Sequence, residues 1–255
     1  MRFVIALRDP IRLIPLLFLG AIIVGTILLS LPFATTAGTR APLLTAVFTS
    51  TSAVAVTGLI VVDTPTYWSG FGQGVILLLF QVGGFGIMTS ATLFGLMAGR
   101  GFGLRDRMAT QVERSRLEKH DAVSALRLIL AITLVVEGFV AVILALRLFG
   151  TYHESFGVAV WHGLFHSVSA FNNAGFSSYS DSVMGFQNDP LILGPIMIAV
   201  ILTALGFPVM QDLRANGLVW RRWSLHTKIT VAGTAALLGF GFVAILAMEW
   251  HNPET

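Results

Sequence analysis

The sequence predicts an all-α polytopic membrane protein made of parallel repeats, each with a spanning helix, a re-entrant half-helix with its loop, and a second spanning helix. Composition is the first reason: only 11% of the 255 residues are charged and 55% are apolar or aromatic. Soluble domains carry about 25% charged residues, so this chain lacks the polar surface that water requires. The other two reasons are several long apolar segments and a motif of serine, alanine and glycine that occurs twice.

Five segments are long enough to cross a bilayer, which takes about 20 apolar residues. They cover residues 14–31, 75–98, 126–148, 191–210 and 229–250. The first follows Arg2, Arg8 and Arg12, as in a signal peptide, but it lacks a convincing small-residue cleavage site. We therefore expect this segment to remain as a spanning helix.

Basic residues give the expected orientation of these spans. All but Arg40 and Arg147 of the 16 lysines and arginines lie on one side of the predicted spans. Loops rich in Lys and Arg face the cytoplasm, so the N-terminus is expected there and the C-terminus, after five crossings, outside. The densest basic segment, residues 100–119, either only sets this topology or docks a cytosolic partner.

Two shorter segments, residues 41–56 and 157–171, do not fit the spanning pattern. Both are rich in small residues and lie on the outer side, and Pro42 suits the first turn of a short helix. Each is predicted to enter the membrane as a half-helix and then stop. Irregular backbone beyond such a helix is tolerated at membrane depth only where it is buried in protein or lines a wet cavity.

The two half-helices belong to an internal repeat. With Gly58 aligned to Gly175, the matching pairs are Phe48 with Phe165, Ser50 with Ser167, Ser52 with Ser169 and Ala53 with Ala170. Both repeats begin and end on the same side, so the repeat is parallel, unlike that of inverted-repeat transporters. The predicted divisions are residues 1–99 (first repeat), 100–121 (cytoplasmic basic loop), 122–213 (second repeat) and 214–255 (cytoplasmic loop and first helix of a third repeat).

This arrangement suits a cation. The C-terminal end of a half-helix carries partial negative charge, and the loop after it can turn carbonyl oxygens towards a dehydrated ion. Glycine tolerates the dihedral angles that this requires, and Gly58 and Gly175 occupy that position in both repeats. Packing or hinge roles better explain two other sets of glycines, Gly83, Gly84 and Gly86, and Gly70, Gly72 and Gly74. The predicted filter residues, acting through backbone carbonyls, are Val56, Thr57, Gly58, Leu59, Asn173, Ala174, Gly175 and Phe176.

Several motifs resemble those of the Trk/Ktr/HKT potassium transporters, whose fold is potassium-channel-like. The resembling segments are residues 51–64 (TSAVAVTGLIVVDT, first pore loop), 81–89 (QVGGFGIMT, second helix of the first repeat) and 165–177 (FHSVSAFNNAGFS, second pore loop). Residues 206–209 and 225–229 match later landmarks. The resemblance covers about residues 9–250.

This resemblance implies a plasma-membrane pore of four repeats, each supplying one filter strand with one key glycine. Gly58 and Gly175 would be two of the four, and glycine at the first position is associated in the family with potassium over sodium. Potassium would be the substrate, sodium a candidate coupling or activating ion, and no covalently bound cofactor is expected. The start at the first repeat resembles the Ktr branch, whose subunits form homodimers that dock on a cytosolic ring of nucleotide-binding regulatory subunits.

The length departs from the family pattern, since only two repeats are complete. We interpret the chain as the N-terminal portion of a longer protein; the alternative is two copies around a shared axis. The competing function is a non-conducting membrane scaffold or assembly partner of such a transporter. No paired carboxylates or Ser/His/Asp set stand out, so an enzyme is not expected. Membrane lipid is the expected surrounding, and no nucleic-acid partner is expected at a net charge of +3.

Polar residues near the predicted filter are candidates for supporting it: Asn172, His166, Ser52 and Ser169. Glu137 lies in the middle of a predicted span, where an ionisable group is costly and often functional. A structural partner and a conduction role are both open for it. Asp63, Asp181 and Asp189 lie on the outer side, where they would either concentrate cations or be ordinary solvated loop residues.

Overall fold

The computed structural model describes residues 10–98 and 111–250, and within them the side chains of residues 14–90, 124 and 126–250. The α-helices are α1 (Pro10–Leu29), α2 (Leu43–Val54), α3 (Thr64–Tyr67), α4 (Gly70–Ala98), α5 (Gln111–Thr151), α6 (Phe156–Phe171), α7 (Pro190–Ala204), α8 (Phe207–Asn216) and α9 (Leu225–Glu249). Short 3-10 helices cover Pro32–Ala34, Met184–Phe186 and Trp220–Arg222. The chain divides into two compact units, Met1–Thr203 and Ala204–Thr255.

The all-α membrane fold is confirmed. In the part of the chain that the structure describes, three helices are long and apolar enough to cross a membrane, over Gly70–Ser90, Leu126–Thr151 and Leu225–Glu249. The apolar part of α1, Ile14–Leu29, is shorter. Helix α5 begins at Gln111, within the stretch 100–121 that the sequence assigns to the cytoplasmic loop.

The fourth predicted span, residues 191–210, differs from a continuous helix. Helix α7 ends at Ala204 and α8 begins at Phe207. Between them Gly206 has a φ of +84°, and Pro208 follows in the first turn of α8. A positive φ interrupts the helical path, and proline has no N–H to continue the hydrogen bonds. These two residues account for the break.

The half-helices α2 and α6 have 12 and 16 residues. At 1.5 Å per residue they are about 18 and 24 Å long, shorter than the roughly 30 Å hydrocarbon core of a bilayer. Small residues let them approach the spanning helices closely. A Cβ on Gly163 of α6 would lie 2.8 Å from the Ala141 carbonyl oxygen of α5. This contact places α6 close against α5.

Aromatic side chains join the two repeats inside the first unit. The ring of Phe80 on α4 lies edge-on to that of Phe165 on α6, with centroids 5.6 Å apart. It also stacks on Phe176, which follows α6, at 6.0 Å. All three rings are buried, and Trp68 belongs to the same core. Burying rings of this size is among the largest apolar contributions available, so the core sits between the half-helices and α4.

In the second unit, Ser224 forms the N-cap of α9. Its hydroxyl accepts from the Thr227 N–H at 3.2 Å, and the Ser224 N–H donates to the Asp212 carboxylate at 2.8 Å. The remainder of α9 exposes apolar side chains such as Leu237 and Phe240, the surface expected of a helix in contact with lipid or another apolar partner.

The predicted orientation depends partly on residues outside the described ranges. Arg2, Arg8, Arg100, Arg105 and Arg107 lie there. The N-terminal orientation and the docking alternative for residues 100–119 therefore remain predictions.

Candidate functional site

Helices α2 and α6 end in the same way. After α2, the Val56 N–H donates to the Ala53 carbonyl at 3.1 Å and the Thr57 N–H donates to the Ser52 carbonyl at 2.8 Å. After α6, the matching bonds are Asn173 to Ala170 at 3.1 Å and Ala174 to Ser169 at 2.8 Å. These paired bonds define the Schellman motif, in which the residue after the cap is left-handed. The internal repeat found in the sequence is therefore repeated in the backbone.

The two segments that follow, residues 55–59 (the first loop) and 172–176 (the second loop), share their unusual dihedral angles. Val56 and Asn173 have φ values of +53° and +56°. Gly58 and Gly175 have values of +77° and +73°. Asparagine tolerates the left-handed region, whereas a β-branched valine there is strained. Strain of this kind collects at functional sites.

The two loops touch at their glycines. A Cβ on Gly58 would lie 2.5 Å from the Ala174 carbonyl oxygen and 3.0 Å from the Gly175 Cα. A Cβ on Gly175 would lie 3.4 Å from the Gly58 Cα. The predicted filter segments of both repeats therefore meet, directly after the C-terminal ends of two half-helices. Those ends carry partial negative charge, which makes the meeting point favourable for a cation.

The predicted filter residues differ in exposure. Ala174 and Phe176 are buried, while Thr57, Leu59, Asn173 and Gly175 are exposed. Val56 and Gly58 are half-buried. An open cavity of about 290 Å³ lies beside the second loop. Its lining includes Ser169, Asn173, Gly175 and Ser177.

Side chains brace the second loop by hydrogen bonds. The buried Ser169 hydroxyl donates to the Phe176 carbonyl at 2.7 Å, so the half-helix holds the far end of its own loop. The Asn173 amide donates to the Thr203 hydroxyl on α7 at 2.8 Å. His166 contacts the Ser177 hydroxyl through Nε2 at 3.0 Å. The predicted supporting residues Ser169 and His166 therefore contact this loop or the residue after it, and the predicted filter residue Asn173 ties the loop to α7.

Asn172, the C-cap of α6, has a wider set of partners. Its amide nitrogen donates to the Gln81 side-chain oxygen at 2.7 Å and to the Val168 carbonyl at 2.9 Å. It also approaches a Glu137 carboxylate oxygen at 3.3 Å. Gln81 is the residue that sequence reasoning missed. Its signal was available, because it is a polar amide inside an otherwise apolar span.

The first loop has a different support. The hydroxyls of Ser52 and Ser50 are buried and have no hydrogen-bond partner among the residues that the structure describes. Close packing takes the place of those bonds: a Cβ on Gly83 of α4 would overlap the Val54 carbonyl oxygen. Ser52 is therefore near the predicted filter without a bond that supports it.

Carboxylates on the outer side are engaged with neighbours. Asp63 accepts hydrogen bonds from Ser180 at 2.7 Å and Thr66 at 2.5 Å. The Ser180 bond joins the outer segments of the two repeats. Asp189 accepts from Arg147 Nε at 2.8 Å and from the Tyr152 hydroxyl at 3.1 Å. These contacts give both carboxylates a structural role.

A polar cluster of Tyr179, Glu154 and His162 lies near the second loop. The Tyr179 hydroxyl donates to Glu154 at 2.7 Å and lies 2.7 Å from His162 Nδ1. Burial raises the pKa of the Tyr179 hydroxyl above its ordinary value of 10.0, and the hydrogen bond to Glu154 raises it further. Tyr179 therefore remains a neutral donor that links the outer loop to α6.

The sequence is similar to known cation transport proteins. Residues 20–250 match the family model of TrkH, described as a cation transport protein. The chain is 37% identical over 248 residues to Ktr system potassium uptake protein B of Bacillus subtilis, covering 96% of the chain and 54% of that protein. It is 35% identical to Ktr system potassium uptake protein D of the same organism, covering 96% of the chain and 57% of the relative.

A further relative is the potassium/sodium uptake protein NtpJ of Enterococcus hirae, at 32% identity, with 94% of the chain and 53% of that protein covered. The chain thus spans about half the length of the curated relatives it matches. These proteins are named for ion uptake, which points to transport rather than an enzyme activity. The family match and the apolar helices together establish a multi-pass membrane protein, and the chain belongs to the TrkH family of cation transport proteins.

Proposed function

We propose that this chain takes part in potassium uptake across the plasma membrane through a glycine-lined selectivity filter. The observation that carries the proposal is the contact between Gly58 and Gly175, each at positive φ and each placed after a half-helix. Carbonyl oxygens of the predicted filter residues 56–59 and 173–176 would replace the water around the ion, with that of Phe176 already engaged by the Ser169 hydroxyl. The partial negative ends of α2 and α6 would favour it electrostatically.

Two filter strands make only part of a ring around an ion. We propose that the chain supplies two of four strands, with the remaining strands from sequence corresponding to the other half of its relatives or from a second copy. The repeats would correspond to residues 1–99 and 122–213, and residues 214–255 would hold the first helix of a third repeat. Glycine at position 58 favours potassium as the substrate, with sodium as a candidate coupling or activating ion.

The remaining proposals concern orientation and partners. The basic residues favour a cytoplasmic N-terminus, and residues 100–119 would then face the cytosol. A cytosolic nucleotide-binding regulatory ring of the Ktr type is the proposed partner there, and a homodimer is the proposed assembly. The names of the relatives support uptake of potassium, and in one case of potassium and sodium.

A non-conducting scaffold or assembly partner is the alternative function. It would need the same fold but no filter, so the positive φ at Gly58 and Gly175 would have no ionic role. The close contact between the two glycines favours conduction, because a scaffold gains nothing from bringing two such loops together.

The test is growth of a potassium-uptake-deficient bacterium at low external potassium. The protein is expressed from its own gene, so that any sequence beyond residue 255 is present. Gly58→Asp and Gly175→Asp are compared with wild type. Gly20→Ala is the matched control, since a Cβ at Gly20 of α1 meets nothing within 4 Å. Membrane abundance is measured for each variant.

Conduction predicts loss of growth with both loop variants and normal growth with Gly20→Ala, at equal membrane abundance. Equal growth of all variants would contradict the filter and favour the scaffold. Expression of residues 1–255 alone then tells whether two copies suffice, since growth with that chain would mean that they build a working pore.

A further inference from the structure

Glu137 is a buried acidic residue that the filter proposal leaves unused. It lies in the middle of the spanning part of α5, and its exposed fraction is 7%. An ionisable side chain inside a membrane protein is costly and is kept where it has a function. Its side-chain partners among the described residues are the amides of Gln81 and Asn172.

These three side chains form a triangle that joins both repeats. The Gln81 amide nitrogen, from α4, donates to Glu137 Oε2 at 3.4 Å, and the Asn172 amide nitrogen lies 3.3 Å from Glu137 Oε1. The third edge is the 2.7 Å bond from Asn172 to the Gln81 oxygen. The Gln81 amide donates to Oε2, whereas the two Asn172 amide hydrogens point to the Gln81 oxygen and the Val168 carbonyl and reach Oε1 only as a longer, shared contact. The Glu137 side chain thereby orients the Gln81 amide, whose oxygen in turn accepts from Asn172.

The triangle acts on the second loop through Asn172. This residue closes α6, and the left-handed Asn173 and then Gly175 follow it directly. Helix α4 leaves space for Asn172 at Gly84, because a Cβ on Gly84 would overlap the Asn172 side-chain oxygen. Asn172 therefore lies at the junction between the triangle and the start of the loop.

The backbone of Glu137 makes a separate contact that its side chain does not influence. The Ser167 hydroxyl donates to the Glu137 carbonyl at 2.6 Å, which docks α6 on α5. A substitution that removes only the carboxylate would keep this bond and the helix packing. The side chain is thus free for a more specific task than holding the two helices together.

We infer that Glu137 is a positioning residue for the second filter strand, acting through Gln81 and Asn172. This inference rests on the proposed function. The carboxylate orients the Gln81 amide and through it the Asn172 amide, Asn172 fixes the turn at the end of α6, and the turn sets the position of Gly175. Losing the carboxylate should loosen the filter and reduce ion discrimination while leaving the fold intact.

The experiment measures the ratio of potassium to sodium uptake by the protein expressed from its own gene and reconstituted in vesicles. The variants are Glu137→Leu, Glu137→Gln, Gln81→Leu and the double variant of Gln81→Leu with Glu137→Leu. Thr133→Val is the matched control: Thr133 is also buried on α5, one turn earlier, but its hydroxyl donates only to its own helix at Ile129. Gly58→Ser reports on the filter itself.

Glu137→Leu is expected to lower the potassium/sodium ratio about tenfold, the scale of losing one side-chain hydrogen bond. Glu137→Gln keeps one acceptor oxygen and should fall between wild type and Glu137→Leu. The double variant should be no worse than Glu137→Leu, because the two residues act as one network. Thr133→Val should keep the wild-type ratio.

Wild-type ratios in both Glu137→Leu and Gln81→Leu would overturn the inference. A ratio lowered equally by Thr133→Val would also overturn it, since that would be a general loss of stability. If Glu137→Leu does not reach the membrane, Gln81→Leu tests the same network from the first repeat, and its normal ratio contradicts the inference. An unchanged ratio in Gly58→Ser, by contrast, means that the proposed filter itself is wrong.

Discussion

The first loop and the second loop follow half-helices that end with the same two backbone hydrogen bonds and continue with φ values of the same sign. Their surroundings differ. The second loop is braced by the hydroxyl of Ser169 and the amides of Asn172 and Asn173. The first loop lies against the small residue Gly83, and the Ser52 hydroxyl beside it is unpaired within the described residues.

The difference separates what the proposed ion site requires from how each repeat supports it. The position of the carbonyl groups depends on backbone dihedral angles, so both repeats need the same cap and the same glycine. Support can come from close packing, which is rigid but intolerant of added volume, or from buried hydrogen bonds, which fail when one partner is removed. The two repeats use these solutions in different proportions.

The largest expected effect tests close packing at the first loop. In Gly83→Ala the new methyl group overlaps the backbone carbonyl of Val54, which cannot move without displacing the end of α2. In Gly84→Ala it meets the side chain of Asn172 instead, which can shift without displacing backbone but at the cost of part of its hydrogen bonding. We expect Gly83→Ala to lower the free energy of unfolding by about 3 kcal/mol and Gly84→Ala by about 1 kcal/mol. Equilibrium unfolding of the detergent-solubilised protein measures both, and equal losses would contradict the contrast.

The second prediction concerns the residue that caps the start of α4 in the first repeat and of α7 in the second. Asp189 precedes α7, accepts from the Leu191 N–H at 3.0 Å and pairs with Arg147. Ser69 precedes α4, accepts from the Gly72 N–H at 3.2 Å and donates to the Phe33 carbonyl at 2.6 Å. Each residue caps the start of the second spanning helix of its repeat, but only Asp189 carries a charge.

Burial alone would raise the pKa of Asp189, but the hydrogen bonds from Arg147, Leu191 and Tyr152 outweigh it and hold the pKa below the ordinary 3.8. Its stabilisation is therefore complete above that value and is lost as pH falls through the lowered pKa. We expect Asp189→Asn to cost about 1 to 2 kcal/mol at neutral pH and to reduce the acid sensitivity of unfolding. Ser69→Ala changes the uncharged cap. It should lower the free energy of unfolding by an amount that stays the same as pH falls through the pKa of Asp189.

The third prediction compares two serines at matching positions of the half-helices. Ser169→Ala leaves the buried Phe176 carbonyl without its bond and should cost about 1 kcal/mol. Ser52→Ala removes a hydroxyl that is already unpaired among the described residues, so it should be neutral or slightly stabilising. Thermal unfolding of the two variants measures the difference. Equal destabilisation would mean that Ser52 has an unrecognised partner.

The sequence was sufficient to predict features that depend on local chemistry. The alignment of Gly58 with Gly175 anticipated the shared positive φ, because glycine is the residue that adopts it freely. Apolar length predicted three of the spans, but the first corresponds to the shorter apolar helix Ile14–Leu29. The break at Gly206 looked like continuous helix because both flanks are apolar. Partners such as Gln81 with Asn172 could not be predicted, since they are 91 residues apart and depend on how α4 packs against α6. The ion specificity and the four-strand filter remain predictions.

The smallest expected effect concerns the residue after each helix cap. Val56 is strained by its φ of +53°, whereas Asn173 at +56° is of a type that tolerates this conformation. Val56→Asn should relieve strain of about 1 kcal/mol but lose part of the packing of the half-buried valine against the core. We therefore expect a net stabilisation of about 0.5 kcal/mol, measured as a higher unfolding midpoint. Asn173→Val makes the reverse change and also removes the bond to Thr203, so it should destabilise; if instead both variants destabilise equally, the first loop depends on the valine side chain more than on its backbone conformation.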